Sequence, residues 1–361
     1  MPYGVLKKII GALAMLGLVS GLWAGLMRIG WQWAGVHPSL SAMHGPLMLC
    51  GFVGTLIGLE RAVALGKIWG FFGPIATALG TILILGGWGM PYAALGAIVG
   101  SALLVIVFGR FVYIYPAFST VVTGLGAVAW LTGNVLWFMG WPIFRVLLWW
   151  IGFLVLTIAG ERLEINRLLK LSRSTRAAFV VALLLYVVGL VSGFWSHELS
   201  ARLSGVGLLV LALWLLGWDL ARRTVRTQGV SRYIAVGVLA GYGWLALGGV
   251  LSLSFGATYA GYRYDAMVHS IFVGFTLSMI FAHAPIIFPA LSGRPLPYTP
   301  YFYVHAALLH LGLGLRVASD LAQWPLGWRW GGLLNVSALV LFIFITACTS
   351  IRALLGQGKK T

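Results

Sequence analysis

Apolar runs of about 20 residues, the length that an α-helix needs to cross a bilayer, recur along the whole chain. Of its residues, 60% are hydrophobic and only 9% are charged. The sequence therefore predicts an all-α, polytopic membrane bundle of about 12 transmembrane helices, with a single integral membrane domain over residues 1–361. The helices are predicted at residues 9–29, 40–65, 69–88, 91–114, 117–138, 142–166, 176–194, 200–219, 231–255, 263–289, 299–318 and 331–353.

The net charge of +17 is distributed unevenly between the two sides of the predicted bundle. Of the 24 Lys and Arg residues, 18 fall on the side that carries the N-terminus and 6 on the other side. This asymmetry follows the positive-inside rule and predicts that both termini are cytoplasmic, with Lys359 and Lys360 among the inner charges. The basic excess therefore indicates orientation and contact with anionic lipid, and it does not indicate nucleic-acid binding.

A weak internal repeat links the second and sixth predicted helices. The sequences GTLIGLERAVAL and LTIAGERLEINRL each carry a Glu-Arg pair near the inner end of an inward-running helix, Glu60–Arg61 and Glu161–Arg162. The tenth helix runs the same way and carries His283 at the same depth, roughly 28–31 Å along a helix that rises about 1.5 Å per residue. Equivalent helices four apart in the chain predict three arcs of four helices around a pseudo-threefold axis.

Two histidines open the second and tenth predicted helices, His44 in SAMHGPLMLCGF and His269 in DAMVHSIF. They are expected about 6 and about 9 Å below the outer surface, and a matched pair of neutral imidazoles predicts axial ligation of a low-spin b-type haem. The chain has no C-x-x-C-H motif, so the haem would be held without covalent attachment. Arg316 and Asp320 end the eleventh helix at this surface, where Arg316 would hold a haem propionate. The alternatives are rings that bond neighbouring backbone groups and an arginine that snorkels to the interface.

A second cluster is predicted near the inner surface. It combines carboxylates, imidazoles and arginines at similar depth: Glu60, Glu161, His283, His305, Arg61 and Arg162. Carboxylate and imidazole groups suit copper or another non-haem metal, and buried ionisable groups also suit a proton path. The alternative is a set of Glu–Arg ion pairs that neutralise themselves at the membrane edge.

The eleventh predicted helix carries two further histidines, His305 and His310. Five residues correspond to about 500° of helical rotation, so the two rings point to different faces and cannot serve one site as neighbours. His310 lies at middle depth and is predicted to ligate a second haem or a metal, whereas His305 lies nearer to His283. His37 and His197 fall in outer loops and are predicted to be solvated.

The helix count, the histidine that opens helix two and the histidines of helix ten resemble subunit I of the haem–copper oxidases. They resemble still more the shorter NnrS-type haem–copper membrane proteins of bacteria. The resembling stretches are MHGPLMLCGFVGTLIGLERAVALG and DAMVHSIFVGFTLSMIFAHAPIIFPALSGR. The resemblance implies a haem between helices two and ten, held by His44 and His269, with copper as a further cofactor. It also implies a bacterial inner-membrane location, nitric oxide or nitrogen-oxide handling, and electron transfer from a quinol or a cytochrome.

The chain departs from the oxidases in its copper ligands. Helix six offers Glu161 but no histidine, and helix seven lacks a histidine pair, so an oxidoreductase of this type would lack a conventional copper site. The residues leave three functions open. They are a haem-binding redox or nitric-oxide-handling protein, a proton-coupled or small-molecule transporter that uses buried Glu, Arg and His groups, and a colourless assembly factor for a respiratory complex.

Overall fold

The protein is all-helical in a computed structural model that describes residues 3–357. In this part of the chain, twelve helices are long and apolar enough to cross a membrane, and no residue forms a β-strand. In chain order they are α1 Gly4–Arg28, α2 Leu40–Leu65, α3 Ile68–Leu85, α4 Met90–Ile114, α5 Phe118–Phe138, α6 Ile143–Asn166, α7 Arg173–Ser192, α8 His197–Trp218, α9 Gly229–Phe255, α10 Tyr262–Ser292, α11 Phe302–Leu321 and α12 Pro325–Gly356. The predicted fold class, an all-α polytopic membrane bundle, is confirmed, while Lys359 and Lys360 lie outside the described residues.

Glycine and proline explain two helix ends that differ from the predicted ones. α3 ends at Leu85 instead of residue 88, because two glycines follow and Gly87 adopts a left-handed conformation with φ of 74°. α12 begins at Pro325 instead of residue 331. Proline suits the first turn of a helix, where its missing N–H group is not needed.

The contacts divide the chain into two compact units, Met1–Glu164 and Ile165–Thr361, called unit 1 and unit 2 below. Unit 1 contains α1 to α5 and nearly all of α6, and unit 2 contains α7 to α12. The single membrane domain and the three arcs of four helices stay predictions.

Small residues allow close packing between the first helices of unit 1. A Cβ atom on Gly17 of α1 would lie 2.7 Å from the carbonyl carbon of Gly51 in α2. A Cβ atom on Gly51 would lie 2.5 Å from the hydroxyl oxygen of Thr81 in α3. Such spacing admits no side chain at either glycine, and it is the close backbone approach that helices in lipid use to gain van der Waals contact.

Asn134 of α5 is a fully buried polar residue that links four helices of unit 1. Its amide nitrogen donates to the Ala97 carbonyl oxygen and to the Ser101 hydroxyl, both at 3.1 Å and both on α4. Its amide oxygen accepts from Trp150 Nε1 of α6 at 2.9 Å and from the Cys50 thiol of α2 at 3.5 Å. The polar atoms of this side chain are therefore satisfied inside an apolar bundle, as buried polar groups require.

Two helices switch from α-helical to π-helical hydrogen bonding. The π-helical stretch is Leu47–Gly54 in α2 and Ser270–Leu277 in α10. A π-helix closes its turn between residues i and i+5, and it is rare outside functional sites. Each stretch begins within one turn of a histidine that the sequence singles out, His44 in α2 and His269 in α10.

Unit 2 buries a carboxylate, Asp219, at the end of α8. It accepts hydrogen bonds from Asn166 Nδ2 at 3.3 Å, from the Tyr242 hydroxyl at 2.9 Å and from the backbone N–H of Ala221 at 2.7 Å. These donors come from the end of α6, from α9 and from a short helix that follows α8. A buried charge is tolerated when donors replace its lost water in this way.

Replacing Asn134 by leucine should destabilise the protein, because leucine keeps the side-chain volume but removes the acceptor of Trp150 Nε1. We expect the free energy of unfolding in detergent to fall by about 1–3 kcal/mol, the effect of leaving a buried polar group unsatisfied. The control is Thr132→Val on the same helix, whose hydroxyl bonds only the Val128 carbonyl one turn earlier. It should change the stability by less than about 0.5 kcal/mol. Equal effects of the two changes would contradict the role of Asn134.

Candidate functional site

His44 lies near the start of α2 and packs on α1 within unit 1. Its Nδ1 atom lies 2.7 Å from the carbonyl oxygen of Gly21. A Cβ atom on Gly25, one turn further along α1, would lie 2.8 Å from the imidazole ring. Glycine at this position therefore opens the space that the ring fills, and the hydrogen bond fixes the orientation of the ring.

His269 lies near the start of α10 in unit 2 and is held by Asp265, one turn earlier. Its Nδ1 atom lies 3.0 Å from the backbone carbonyl oxygen of Asp265 and 3.3 Å from the carboxylate Oδ1. Arg316 of α11 holds that carboxylate with two bonds, from Nε to Oδ2 at 2.7 Å and from Nη2 to Oδ1 at 2.9 Å. Trp328 Nε1 of α12 adds a bond to Oδ2 at 3.1 Å. Three helices of unit 2 therefore meet at Asp265.

The partners of these histidines decide which ring nitrogen carries the proton. A carbonyl oxygen can only accept, so the Nδ1 atoms of His44 and His269 are donors. In a neutral ring the lone pair then lies on Nε2, the usual arrangement for a histidine that ligates a metal. His283 of α10 has the same arrangement, with its Nδ1 atom 2.9 Å from the carbonyl oxygen of Met279. All three rings make the backbone hydrogen bond that the sequence offered as the alternative to ligation, and in a neutral ring this bond leaves Nε2 as the nitrogen that could ligate.

His310 of α11 is in the opposite state. Trp244 Nε1 of α9 donates to its Nδ1 atom at 3.0 Å, so the proton of the neutral ring lies on Nε2. Ligation through Nδ1 would break the bond to Trp244, and ligation through Nε2 would displace a proton. The geometry therefore weakens the prediction that His310 binds a second haem or a metal.

His305 of α11 is buried among aromatic rings of unit 2. The ring centroids of Phe281 and Phe342 lie 4.9 and 5.2 Å from that of the imidazole. The Tyr233 hydroxyl donates to the Phe281 carbonyl oxygen at 3.1 Å and lies 3.2 Å from His305 Nε2, from which it accepts. These contacts are those of a histidine that packs an interior, and they weaken the prediction of His305 as a metal ligand.

Glu60, Arg61 and Glu161 come together in unit 1, at the ends of α2 and α6. Arg61 Nη2 lies 3.4 Å from Glu60 Oε1 and also donates to Glu161. The guanidinium therefore occupies the position between the two carboxylates, and its central carbon lies 5.7 Å from the centroid of the Phe108 ring. The geometry favours the ion-pair interpretation over a metal site. Arg162, the next residue along α6, is buried.

The predicted metal site combined residues of both units. Glu60 and Glu161 belong to unit 1, whereas His283 and His305 belong to unit 2, so their joint site stays a prediction. Among residues 3–357, no three or more His, Cys, Asp and Glu side chains are grouped so that they could hold a metal ion. The ligation of one haem by His44 of unit 1 and His269 of unit 2 likewise stays a prediction.

The two histidines predicted to be solvated have partners at helix ends. His197 begins α8 and is only 8% exposed, with its ring centroid 5.2 Å from that of Tyr259, so the prediction was wrong for it. His37 is half-buried, with Nδ1 2.9 Å from the Ser39 hydroxyl and Nε2 2.8 Å from the Ile84 carbonyl oxygen. Both histidines lie in or next to short connections between helices, so their rings reach residues near helix ends.

Sequence reasoning missed Asp265, Trp328 and Trp244 as partners of the candidate residues. For Asp265 a signal existed, since it precedes His269 by four residues, the spacing at which helical side chains meet. The two tryptophans carried no such signal. Their partners lie more than sixty residues away in the chain, and Trp328, near the start of α12, is equally typical of an aromatic belt.

A comparison with protein families matches residues 8–351 of the chain to one described as a domain of unknown function, DUF8744. The match covers all twelve helices in whole or in large part. No curated protein matches the chain.

The ion pair of unit 1 can be tested with Arg61→Gln, Glu161→Gln and the double variant. Because Arg61 holds Glu161 across two helices, we expect a coupling free energy of about 0.5–2 kcal/mol in unfolding measurements, discounted for side chains that are 18% and 40% exposed. The control cycle uses Arg202 and Glu198, an exposed pair within α8 at 2.7 Å. Its coupling should stay below about 0.5 kcal/mol. Additive effects of the changes at Arg61 and Glu161 would show that this ion pair has no structural role.

Proposed function

The chain belongs to the DUF8744 family, and we propose that it is a haem-binding membrane protein for redox chemistry or nitric oxide handling. The observation that carries this proposal is the shared state of His44 and His269. Each ring donates from Nδ1 to a backbone carbonyl oxygen, and each lies within one turn of a π-helical stretch. In a neutral ring with this bond the lone pair lies on Nε2, the nitrogen through which many histidines hold haem iron.

The donor set fits a haem b. Each imidazole, with its ring fixed by a hydrogen bond from Nδ1, is in its neutral form a suitable axial ligand. Haem at this position would supply one-electron transfer or the binding of a small gas such as nitric oxide. The chain's own groups hold the ligand rings: the Gly21 carbonyl orients His44, and Asp265 orients His269. The carboxylate beside Nδ1 also makes the His269 ring a stronger electron donor.

Arg316 would act mainly through Asp265. Its Nε and Nη2 atoms already donate to that carboxylate, so Nη1 is the nitrogen that remains for a haem propionate. We assign Arg316 as a positioning residue for the Asp265–His269 pair. A second cofactor, copper or another non-haem metal, fits His283 best among the inner histidines because of its Nδ1 donor. The proposed electron donor is a quinol or a cytochrome.

A transporter is the second candidate function, favoured by two adjoining cavities in unit 2. The larger, of about 530 Å³, is lined by Arg232 and Tyr298. The smaller, of about 180 Å³, reaches His310. Both are bordered by Val236 and Tyr303. A cationic mouth that leads to an imidazole in apolar surroundings suits a small anionic or protonatable substrate.

Purified protein should show the absorbance of a low-spin haem after expression with sufficient haem supply. His44→Ala and His269→Ala should each abolish that spectrum, because a single remaining imidazole leaves the iron with an open axial position. The measurements are reduced-minus-oxidised spectra and the haem content by pyridine haemochrome.

His310→Gln provides the matched control for this spectrum, since Nδ1 of His310 accepts from Trp244 and is not proposed as a ligand. It should leave the haem content and the spectrum unchanged. Folding of each variant is checked by gel filtration and thermal unfolding. A colourless wild-type protein, or an unchanged spectrum in both alanine variants, would disprove the haem proposal and favour the transporter.

We further propose that the protein lies in the bacterial inner membrane with both termini cytoplasmic. The support is the excess of 18 over 6 Lys and Arg residues on the side of the N-terminus, together with an even number of helices. A green fluorescent protein fused to the C-terminus should therefore fluoresce, and alkaline phosphatase inserted between α9 and α10 should be active. A periplasmic C-terminus would overturn this orientation.

A further inference from the structure

Asp320, at the end of α11, is a carboxyl group buried without a hydrogen-bond donor. The residue is 0% exposed, and neither carboxyl oxygen has a donor partner. The neighbouring Ser319 hydroxyl is also buried without a partner. Buried polar groups in folded proteins nearly always have partners, so a carboxyl group in this state needs a physical reason.

Asp219 shows how unit 2 supplies a buried aspartate with hydrogen-bond donors. It is as deeply buried as Asp320, at 1% exposed, but it accepts bonds from a backbone N–H, an amide and a hydroxyl. Those three donors replace the water that an anion loses on burial. Asp320 lacks these donors, so the two buried aspartates of one unit differ in what offsets the loss of water.

The surroundings of Asp320 also disfavour a negative charge. Arg316 lies one turn earlier on α11, but two of its nitrogen atoms donate to Asp265, whose charge it balances. The carboxylate of Asp265 is one of the groups whose negative charge acts on Asp320. Two adjacent carboxylates repel each other, and in such pairs one group retains its proton. The groups that hold Asp265 are Arg316, Trp328 and His269. Arg316 balances the charge of Asp265, and this set contains no second arginine or lysine that could balance a charge on Asp320.

We propose that Asp320 is a proton-binding site, in which the neutral carboxylic acid donates a hydrogen bond to the carboxylate of Asp265. Two carboxylate oxygens are both acceptors, so their contact becomes a hydrogen bond only when one of them carries a proton. The proton supplies the donor that the pair lacks and removes the excess charge. Asp265 keeps its charge, because Arg316 and Trp328 donate to it.

The proposed proton on Asp320 is separated from the candidate haem ligand His269 by a single side chain, Asp265. Asp320 contacts Asp265, and Asp265 holds the Nδ1 atom of His269. Loss of the proton would set a second negative charge against Asp265 and loosen the support of the His269 ring. The inference does not rest on haem binding, since it follows from the contacts of Asp320 alone, and it applies equally to a transporter.

The chain contains three aspartates, Asp219, Asp265 and Asp320, which makes a selective test direct. Full-length protein is prepared by cell-free synthesis with aspartate labelled with ¹³C at the side-chain carboxyl carbon and is studied in detergent near neutral pH without haem. The infrared spectrum should contain one carboxylic-acid C=O band that shifts to lower frequency on labelling and again in D₂O. Absence of such a band in the wild type would overturn the proposal.

Variants assign the band. Asp320→Asn should remove it while leaving the thermal stability close to that of the wild type, because the amide N–H also donates to Asp265. Should that variant fail to fold, Asp320→Ser takes its place, with a hydroxyl as donor. Glu198→Gln is the control at an exposed carboxylate and should leave the band unchanged. Persistence of the band without Asp320 would overturn the proposal.

A bound cation is the competing explanation for an uncompensated carboxylate. The labelled band is therefore recorded in sodium buffer and in buffer in which choline replaces sodium. A proton site gives the same band in both. A labelled carboxylate signal in sodium that becomes an acid band only in choline would assign Asp320 to a sodium site and overturn the proton proposal.

Discussion

The need to satisfy every backbone polar group inside lipid determines the architecture of this chain. A segment that crosses a bilayer finds no water for its N–H and C=O groups, so it must close them within its own helix. That requirement accounts for the twelve long helices, joined by short connections, within residues 3–357. It also accounts for the two π-helical stretches, where the backbone keeps its hydrogen bonds but changes the residue that receives them. The backbone of each spanning segment therefore stays helical, and the segments differ in their side chains and in where the hydrogen bonding changes from α-helical to π-helical.

The same requirement applies to buried polar side chains. Asn134, Asp219 and Asp265 meet it with hydrogen bonds from several helices or helix ends. Asn134 collects its partners from α2, α4 and α6, and Asp219 collects its partners from around the end of α8. Asp265 is held by Arg316 and Trp328. Each of these groups makes directional hydrogen bonds between helices, which fix the relative position of the helices more specifically than apolar packing does. Asp320 is the contrasting case, since its partner is another acceptor.

Helix number, helix order and most helix boundaries followed from the sequence, because the length and the composition of an apolar run determine whether it spans a membrane. Two of the ends that differed were set by local chemistry at Gly87 and Pro325. The Glu60–Arg61–Glu161 contact was within reach of the sequence as well, since depth along a helix follows from the residue count.

The states of the histidines could not be predicted in the same way. His310 and His305 look alike in the sequence, yet Trp244 and Tyr233 decide which ring nitrogen of each carries the proton. Both partners come from α9, far away in the chain, and a hydrogen-bond partner at such a distance leaves no periodic trace in the sequence. π-helical bonding is equally hidden, because the residues of Leu47–Gly54 are as apolar as those of an ordinary spanning helix.

Asp265 connects the two proposals for this protein, since one carboxylate faces both His269 and Asp320. Arg316 balances the charge of this carboxylate. The Nδ1–H group of His269 lies close to two acceptors of Asp265, the backbone carbonyl oxygen and the carboxylate Oδ1. If Asp320 carries the proposed proton, its hydrogen bond would draw electron density from the same carboxylate and weaken the hydrogen bond of Asp265 to the His269 ring. Under the proposed haem ligation, protonation of Asp320 would therefore favour the reduced iron, because a less electron-rich imidazole stabilises the ferric state less. Electron uptake by a haem held by His269 and proton uptake at Asp320 would then be coupled through the carboxylate of Asp265.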